Sequence, residues 1–160
     1  MASLASPVSV QVSVEKIYVK DLSLENPGAP QTFRLSEAPS IEIGLRTRAD
    51  QIEPDVYECV MTVTVTATAG DRTVFLVEVA QAGIFSLRNV PAGQLDALLG
   101  IACPTILFPY LREAISDLVV RAGFPPVLLS PVSFEALYMQ RLQQQAGQQQ
   151  GAGPQIEIAR

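Results

Sequence analysis

The sequence predicts an α+β fold: a four-stranded antiparallel sheet followed by a short helix and two longer helices. Apolar residues alternate with polar ones in the first half, a hairpin-type turn at 69–72 joins two such segments, and the period becomes helical after Gly93. Strands followed by helices are typical of this class. We expect one domain over 8–142, a flexible N-terminus over 1–7 and a disordered Gln/Gly-rich tail over 143–160.

The first strand begins with residues 8–14, where valines alternate strictly with polar residues. The alternation then changes phase, and a one-residue slip would turn every following side chain to the other face. We therefore predict a β-bulge near Glu15 or Lys16. The proline-rich segment 21–40 is predicted to be a long irregular connection, and such connections often have a function.

The second and third strands are predicted at about 40–48 and 55–68. Ile41, Ile43 and Leu45 of the second strand should face inward. One face of the third strand is rich in threonine, which suits a sheet surface in contact with water.

The fourth strand, at about 73–86, is apolar on both faces. A strand of this kind is covered on both sides or presents a binding surface. The residues predicted to face the core are Phe75, Val77 and Val79. The residues predicted on the opposite face are Val74, Leu76, Glu78 and Ala80.

Three helices are expected after Gly93. A short one begins near Leu95 and ends before Pro104, and the longer second helix should end at Gly123, a residue suited to a C-terminal cap. The last helix is predicted to begin with Ser130 as its N-cap. The apolar stripe of the second helix comprises Leu107, Leu111, Ala114, Ile115 and Leu118, and that of the last helix Phe134, Leu137, Tyr138 and Leu142.

The composition is unusually apolar for a soluble monomer, with 48% hydrophobic and 17% charged residues and a mean hydropathy of +0.26. The most apolar stretch, 98–111, is shorter than the roughly 20 residues that span a bilayer, and it contains two prolines. Residues 1–7 lack the features of a signal peptide. We therefore expect the apolar surplus to lie in an oligomer interface, in a binding surface for other proteins, or in both, without membrane insertion.

Charge and residue types argue against several functions. A net charge of −5 without a basic patch disfavours nucleic-acid binding. The chain has no histidine, which excludes histidine-based catalytic triads and most catalytic zinc sites. Glu58 and Glu78 are the one carboxylate pair suited to acid–base chemistry, and on an open sheet face they are expected to be hydrated charges. We expect no enzyme activity, no metal and no cofactor, and we interpret Cys59 and Cys103 as buried apolar residues.

Four segments resemble the SecB family of bacterial protein-export chaperones. They are residues 14–27, 79–85, 103–113, which contain Cys-Pro-Thr-Ile-Leu-Phe-Pro-Tyr, and 124–138. The resemblance covers roughly residues 8–146. It implies a cytoplasmic homotetramer, a dimer of dimers with helices between two large sheets. Such a protein binds unfolded precursor proteins without ATP, keeps them competent for translocation and delivers them to the ATPase SecA.

The resemblance also implies roles for particular residues. Those expected to support the assembly are Phe75, Val77, Val79 and Gln81. Those expected to dock SecA are Asp21, Glu25, Leu76 and Glu78. Client binding is assigned to apolar residues of the long connection, the second strand and the last helix, because aliphatic and aromatic walls capture unfolded chains with low specificity. These residues are Leu24, Phe33, Ile43, Leu45, Val132, Phe134, Leu137, Tyr138 and Leu142.

A second interpretation remains open at this point. The chain could be a dedicated chaperone of a single client, such as a SecB relative linked to a toxin–antitoxin pair. The neighbouring genes, or the number of unrelated unfolded proteins that bind, would distinguish the two. The last residues, 155–160, carry only one acidic side chain, unlike the acidic tails common in SecB, so SecA docking is expected to depend more on the sheet face.

Overall fold

In a computed structural model of the protein, which describes residues 8–151, four antiparallel strands form one sheet and helices cover one of its faces. The predicted fold class is confirmed. In space the strands lie in the order β1-β4-β3-β2, so β1 and β2 are the edges. The strands are β1 (Gln11–Glu25), β2 (Ser40–Glu53), β3 (Val56–Ala69) and β4 (Arg72–Arg88). The helices are α1 (Leu95–Ala97), a π-helical segment (Leu98–Ala102), α2 (Cys103–Arg121) and α3 (Phe134–Gly151).

Strand β1 contains two bulges. The first lies between Val14 and Lys16, as the change of phase predicts, and the second, between Val19 and Asp21, was not predicted. Each bulge adds one residue to β1, and this addition reverses the alternation of side chains along the strand. As a result, the apolar residues before and after each bulge lie on the same face of the sheet. The prediction of an irregular connection from residue 21 is wrong for residues 21–25, which pair with β4.

Helix α2 packs on the two central strands and forms the core with them. Leu107, Leu111 and Ile115 of α2 are each no more than 1% exposed. A Cβ atom at Gly83 of β4 would lie 3.0 Å from the Leu107 side chain, so this glycine allows the helix to approach the sheet closely. The buried residues of β3 and β4 on this side are Cys59, Met61, Val63, Val65, Ala67, Phe75, Val77, Val79, Gln81, Phe85 and Leu87.

The residues predicted to support assembly lie in this core. Phe75, Val77 and Val79 are at most 1% exposed and Gln81 is 3% exposed, so they face the core as the alternation predicts. Within this chain they are therefore not available for direct contact with a second copy. Gln81 donates a hydrogen bond to the Tyr18 carbonyl of β1, 3.1 Å away.

The helical chain runs without a break from Leu95 to Arg121. The predicted interruption before Pro104 is therefore wrong. The π-helical segment Leu98–Ala102 leads directly into α2, and Pro104 lies at the point where the helix type changes. By length and composition alone this 27-residue stretch could cross a membrane. Its buried stripe packs on the sheet. Gly123 has a φ of 96°, which agrees with the predicted cap at the end of α2.

The connection between β1 and β2 is ordered by aromatic packing. A 3-10 turn at Gln31–Arg34 places the Phe33 ring 5.1 Å from the Phe124 ring, and Phe124 lies 4.9 Å from Phe75 of the core. The Asn26 side chain donates a hydrogen bond to the Ala122 carbonyl, 2.9 Å away. These contacts attach the connection to the C-terminal end of α2.

Helix α3 differs from its prediction at both ends. It begins at Phe134, and Ser133 rather than Ser130 caps it, since the Ser133 hydroxyl accepts a hydrogen bond from the Ala136 amide at 3.2 Å. The helix continues to Gly151, so residues 143–151, predicted to be disordered, are helical in the structure. Glutamine and alanine favour helices, and this preference explains the extension. The predicted flexible residues 1–7 and the remaining tail, 152–160, lie outside the described residues.

A polar cluster on the sheet face opposite α2 ties β1 to β3. The Tyr18 hydroxyl donates to the Glu58 carboxylate, and Lys20 Nζ lies 2.6 Å from the same carboxylate. The hydrogen bonds from Lys20 and Tyr18 lower the pKa of Glu58 from its ordinary value of 4.5. Partial burial and the Glu58 carboxylate raise the pKa of Tyr18 to about 12.

Substituting Val77 should destabilise the chain itself. Val77→Lys would place a charge in the core beneath α2, and we expect a loss of about 4 kcal/mol or more in unfolding free energy. Leu76→Lys, one residue away on the opposite face, should cost about 1 kcal/mol or less. Chemical denaturation followed by circular dichroism, at one protein concentration, measures both. Equal losses would mean that the facing of β4 is wrong.

The Glu58 cluster should make stability depend on pH. Because the folded-state pKa of Glu58 is lowered, its stabilising contribution is present above about pH 4.5 and is lost as the pH falls through the lowered value. The stability difference between the wild type and Glu58→Gln should therefore be largest near neutral pH and decrease below pH 4.5. In a Lys20→Gln background the difference should be smaller throughout. A difference that stays constant from pH 7 to pH 3 would contradict the role given to the charge.

Candidate functional site

An exposed apolar row lies on the helix side of edge strand β2. Ile41, Ile43 and Leu45 are 41%, 48% and 36% exposed. They pair with Ala67, Val65 and Val63 of β3, which are buried in the core. The three residues of β2 therefore extend the apolar surface of the sheet beyond the area that α2 covers. The predicted facing of these three residues is correct, but they remain accessible.

Two adjoining cavities extend this row toward α3, and together we call them the helix-side groove. The smaller, of about 130 Å³, is lined by Leu45 and by residues of α3, and the larger, of about 350 Å³, reaches the core residues Met61 and Leu107. They share Thr47, Gly100 and Arg141. The groove therefore lies between β2, the π-helical segment and α3. A groove with mainly apolar walls and a few polar groups is suited to binding apolar side chains.

A polar contact between two helices forms one end of the groove. The Tyr138 hydroxyl donates a hydrogen bond to Asp96 at 3.0 Å, and the Arg141 guanidinium lies 3.8 Å from the same carboxylate. Arg141 also lies over the Tyr138 ring, 5.3 Å from its centre. The hydrogen bond to Asp96 raises the pKa of Tyr138. A Cβ at Gly100 would be 2.9 Å from the Tyr138 ring, so the ring requires a glycine there.

The structure brings only some of the predicted client residues together. Leu45, Phe134, Leu137 and Tyr138 line the helix-side groove, and Ile43 continues the row on β2. Phe134 is only 4% exposed. Its ring lies 5.7 Å from Phe108 in an edge-to-face contact, as expected of a core residue.

The other predicted client residues lie elsewhere. Leu24 is on β1, at the opposite edge of the sheet, and Phe33 packs on Phe124. Val132 is partly buried against the core, and Leu142 is 39% exposed on α3. Among the groove-lining residues that the sequence did not indicate are Thr47, Asp96, Gly100 and Arg141. A glycine within a helical segment was the one signal available for them.

The four residues predicted to dock SecA share the sheet face opposite α2, which we call the outer face. Asp21 pairs with Ala80, and Glu25 pairs with Leu76. Glu78 lies between them on β4, opposite Ser23. The second bulge of β1 is what turns Asp21 and Glu25 toward this face.

Glu78 has two polar neighbours on the outer face. The Thr64 hydroxyl donates a hydrogen bond to its carboxylate at 2.8 Å, and the Arg46 guanidinium lies 3.8 Å away. Beside them is a depression of about 360 Å³. It is lined by two acidic residues, Asp21 and Glu78, by three basic residues, Lys20, Arg46 and Arg48, and by the uncharged residues Thr47, Val60, Thr62 and Ala80. The outer face therefore carries charges of both signs.

Glu58 and Glu78 do not form a carboxylate pair. Glu58 lies opposite Ile84 and is bound by Lys20 and Tyr18, whereas Glu78 is six residues away along β4. At about 3.3 Å per residue this separates them by roughly 20 Å. Among residues 8–151 no cluster of three or more potential metal ligands occurs.

The two cysteines belong to the core. Cys59 and Cys103 are free thiols, at most 2% exposed. Contact with the Cys103 thiol and burial raise the pKa of Cys59, which makes it a poor nucleophile. The prediction that both are buried apolar residues is confirmed.

Comparison with known proteins places the chain in a family. The sequence profile described as preprotein translocase subunit SecB matches residues 5–145. The protein-export protein SecB of Methylobacillus flagellatus is 62% identical over 133 residues, which are 83% of this chain and 85% of that protein. The SecB of Dechloromonas aromatica is 60% identical over 134 residues, 84% of this chain and 88% of that protein.

A solved structure shares the fold. It is a SecB-like chaperone of Mycobacterium tuberculosis, in complex with a ChAD peptide from the antitoxin HigA1. Its TM-score to this chain is 0.63 at 18% identity, with 76% of this chain and 91% of that chain covered. With a family profile over most of its length and relatives of such identity, this chain is a member of the SecB family.

Proposed function

We propose that this protein is an export chaperone that holds unfolded precursor proteins in the cytoplasm without ATP and delivers them to SecA. The observation that carries the proposal is the exposed apolar row on β2 and its continuation into the helix-side groove. A folded client would offer few apolar side chains to such a groove, whereas an unfolded one offers many. Relatives named protein-export protein SecB at 52–62% identity favour this function over that of a chaperone dedicated to one client.

The assembly that we propose is a homotetramer, a dimer of dimers. Its support is edge strand β1, whose helix side carries an exposed apolar row at the second edge of the sheet. Val19, Leu22 and Leu24 are 47%, 45% and 37% exposed. An apolar edge strand of 15 residues presents unpaired backbone groups and favours pairing with another chain. A second copy that covers this edge would bury the row.

Docking of SecA is assigned to the outer face. Asp21, Glu25 and Glu78 provide negative charge there, and Leu76 provides apolar contact area. The helix-side groove lies on the other face of the sheet, so a client and SecA could be bound at the same time.

Refolding of a slow-folding protein tests the holdase function. The protein is diluted from denaturant with and without this chain and without ATP, and light scattering measures the mass of the free and bound forms. We expect a tetramer that stops refolding and forms a discrete complex. A monomer that leaves refolding unchanged would contradict the proposal.

The helix-side groove should be sensitive to a methyl group at residue 100. Gly100→Ala would displace the Tyr138 ring from its place in the groove wall, and we expect client capture to weaken about fivefold, near 1 kcal/mol. Gly147→Ala is the matched control, because its Cβ would have no atom within 4 Å. A fluorescence titration with an unfolded client measures both variants. Equal affinities would place client binding outside this groove.

Changes on the outer face should separate SecA docking from client capture. Leu76→Arg and Glu78→Lys should weaken SecA binding at least about tenfold, because each brings a positive charge to an acidic contact surface. Refolding arrest by these variants should persist, since the groove lies on the opposite face. Glu53→Lys makes the same charge change at the other end of β2, level with Ser86 of β4 and eight residues along β4 from Glu78, and serves as the control. Unchanged affinity for SecA in calorimetry would contradict the assigned surface.

A further inference from the structure

A basic side chain of this protein, Arg46, already lies beside Glu78, one of the acidic residues of the outer face. The Arg46 guanidinium is 3.8 Å from the Glu78 carboxylate, while Thr64 donates a hydrogen bond to Glu78 at 2.8 Å. Arg46 belongs to β2 and reaches Glu78 across β3, since β3 lies between β2 and β4. Its side chain is 73% exposed, against 33% for Glu78. An arginine held so loosely can turn into solvent at little cost.

The depression beside this ion pair has room for a side chain from a partner. Asp21 and Glu78 both line it, together with the cations Lys20, Arg46 and Arg48, of which Arg48 lies beside Asp50. Asp21 lies opposite Ala80, two residues along β4 from Glu78. Their carboxylates are therefore diagonal neighbours on adjacent strands, close enough for one cation to contact both. Within residues 8–151, Asp21 has no cationic side chain within 4.0 Å. The neighbouring Lys20 is engaged by Glu58 at 2.6 Å.

We propose that Arg46 is an internal competitor at the docking surface: it neutralises Glu78 until a lysine or arginine of the partner enters the depression and displaces it. The partner is thus one that presents a basic side chain to Asp21 and Glu78 together. This inference rests on the proposed function of the outer face. According to this inference, Arg46 weakens the contact between Glu78 and the partner and does not contribute to it.

The expected effect is a gain of affinity. Removal of the competitor should tighten partner binding about two- to fivefold. This corresponds to about 0.4–1 kcal/mol, within the range that an exposed ion pair contributes. Removal of any positive charge from this face also strengthens the long-range electrostatic attraction of a cationic partner. Salt screens this general effect. Arg48 measures that general effect. It lies two residues along the same strand and lines the same depression, but its guanidinium is 4.0 Å from Asp50 instead of Glu78. Its removal therefore reports the loss of a positive charge there without the loss of the Arg46–Glu78 pair.

The test is calorimetric titration of the full-length protein with purified SecA at low and at physiological salt. The variants are Arg46→Gln, Arg48→Gln, Glu78→Gln and the double variant Arg46→Gln/Glu78→Gln. We expect Arg46→Gln to bind two- to fivefold more tightly than the wild type and more tightly than Arg48→Gln at both salt concentrations. The gain should vanish in the Glu78→Gln background, where no charge remains for Arg46 to neutralise.

The outcomes separate this inference from the proposed function. Equal gains for Arg46→Gln and Arg48→Gln would overturn the inference and leave SecA docking in place. Weaker binding by Arg46→Gln would also overturn it, because Arg46 would then contact the partner itself. A wild-type protein that does not bind SecA would overturn the docking assignment and the inference together.

Discussion

The structure depends on a mismatch of widths between one helix and one sheet. Four strands spaced about 4.8 Å apart form a surface roughly 19 Å wide, whereas a helix with its side chains is about 10–12 Å across. Helix α2 therefore covers β3 and β4 and leaves β1 and β2 uncovered on the same side. The apolar alternation nevertheless continues through both edge strands. Part of the surplus of apolar residues in the composition is thus located along the two edge strands. Further exposed apolar residues lie on the helices and the connections, such as Val120, Leu128 and Met139.

The two uncovered edges differ in their surroundings, and this difference supports different roles. Beside β2, helix α3 and the π-helical segment create cavities with aromatic and aliphatic walls. Beside β1 no helix is in place among the described residues, and the apolar row lies along an open strand edge that contains two bulges. Cavities suit the side chains of varied unfolded chains, whereas an open edge whose bulges set one particular shape suits one repeated partner such as a second copy.

The sequence was most informative where one periodic pattern decided the structure. Alternation alone predicted that Phe75, Val77 and Val79 of β4 face the core, and the phase change near Glu15 predicted the first bulge. The alternation was wrong for Val74, predicted on the opposite face, which is 3% exposed and belongs to the core cluster, because the pairing of β3 with β4 changes register beside it. The second bulge escaped because Lys20 and Asp21 precede a segment rich in proline and serine, which resembles the start of a loop. The groove could not be predicted in full, because Asp96, Gly100 and Arg141 meet only through the packing of α3. Tertiary contacts of this kind leave no local pattern.

The two bulges of β1 also constrain how this strand can change its length. Its polar and apolar faces are in register with β4 only because one extra residue is present at each of two places. Loss of Lys20 alone would turn Leu22 and Leu24 to the outer face and Asp21 and Glu25 toward the core side. Insertions and deletions in β1 are therefore compatible with the fold in even numbers, or when a bulge moves with them. During evolution, whether the number of residues in β1 is odd or even should therefore be conserved more strictly than the identity of any one residue in the strand.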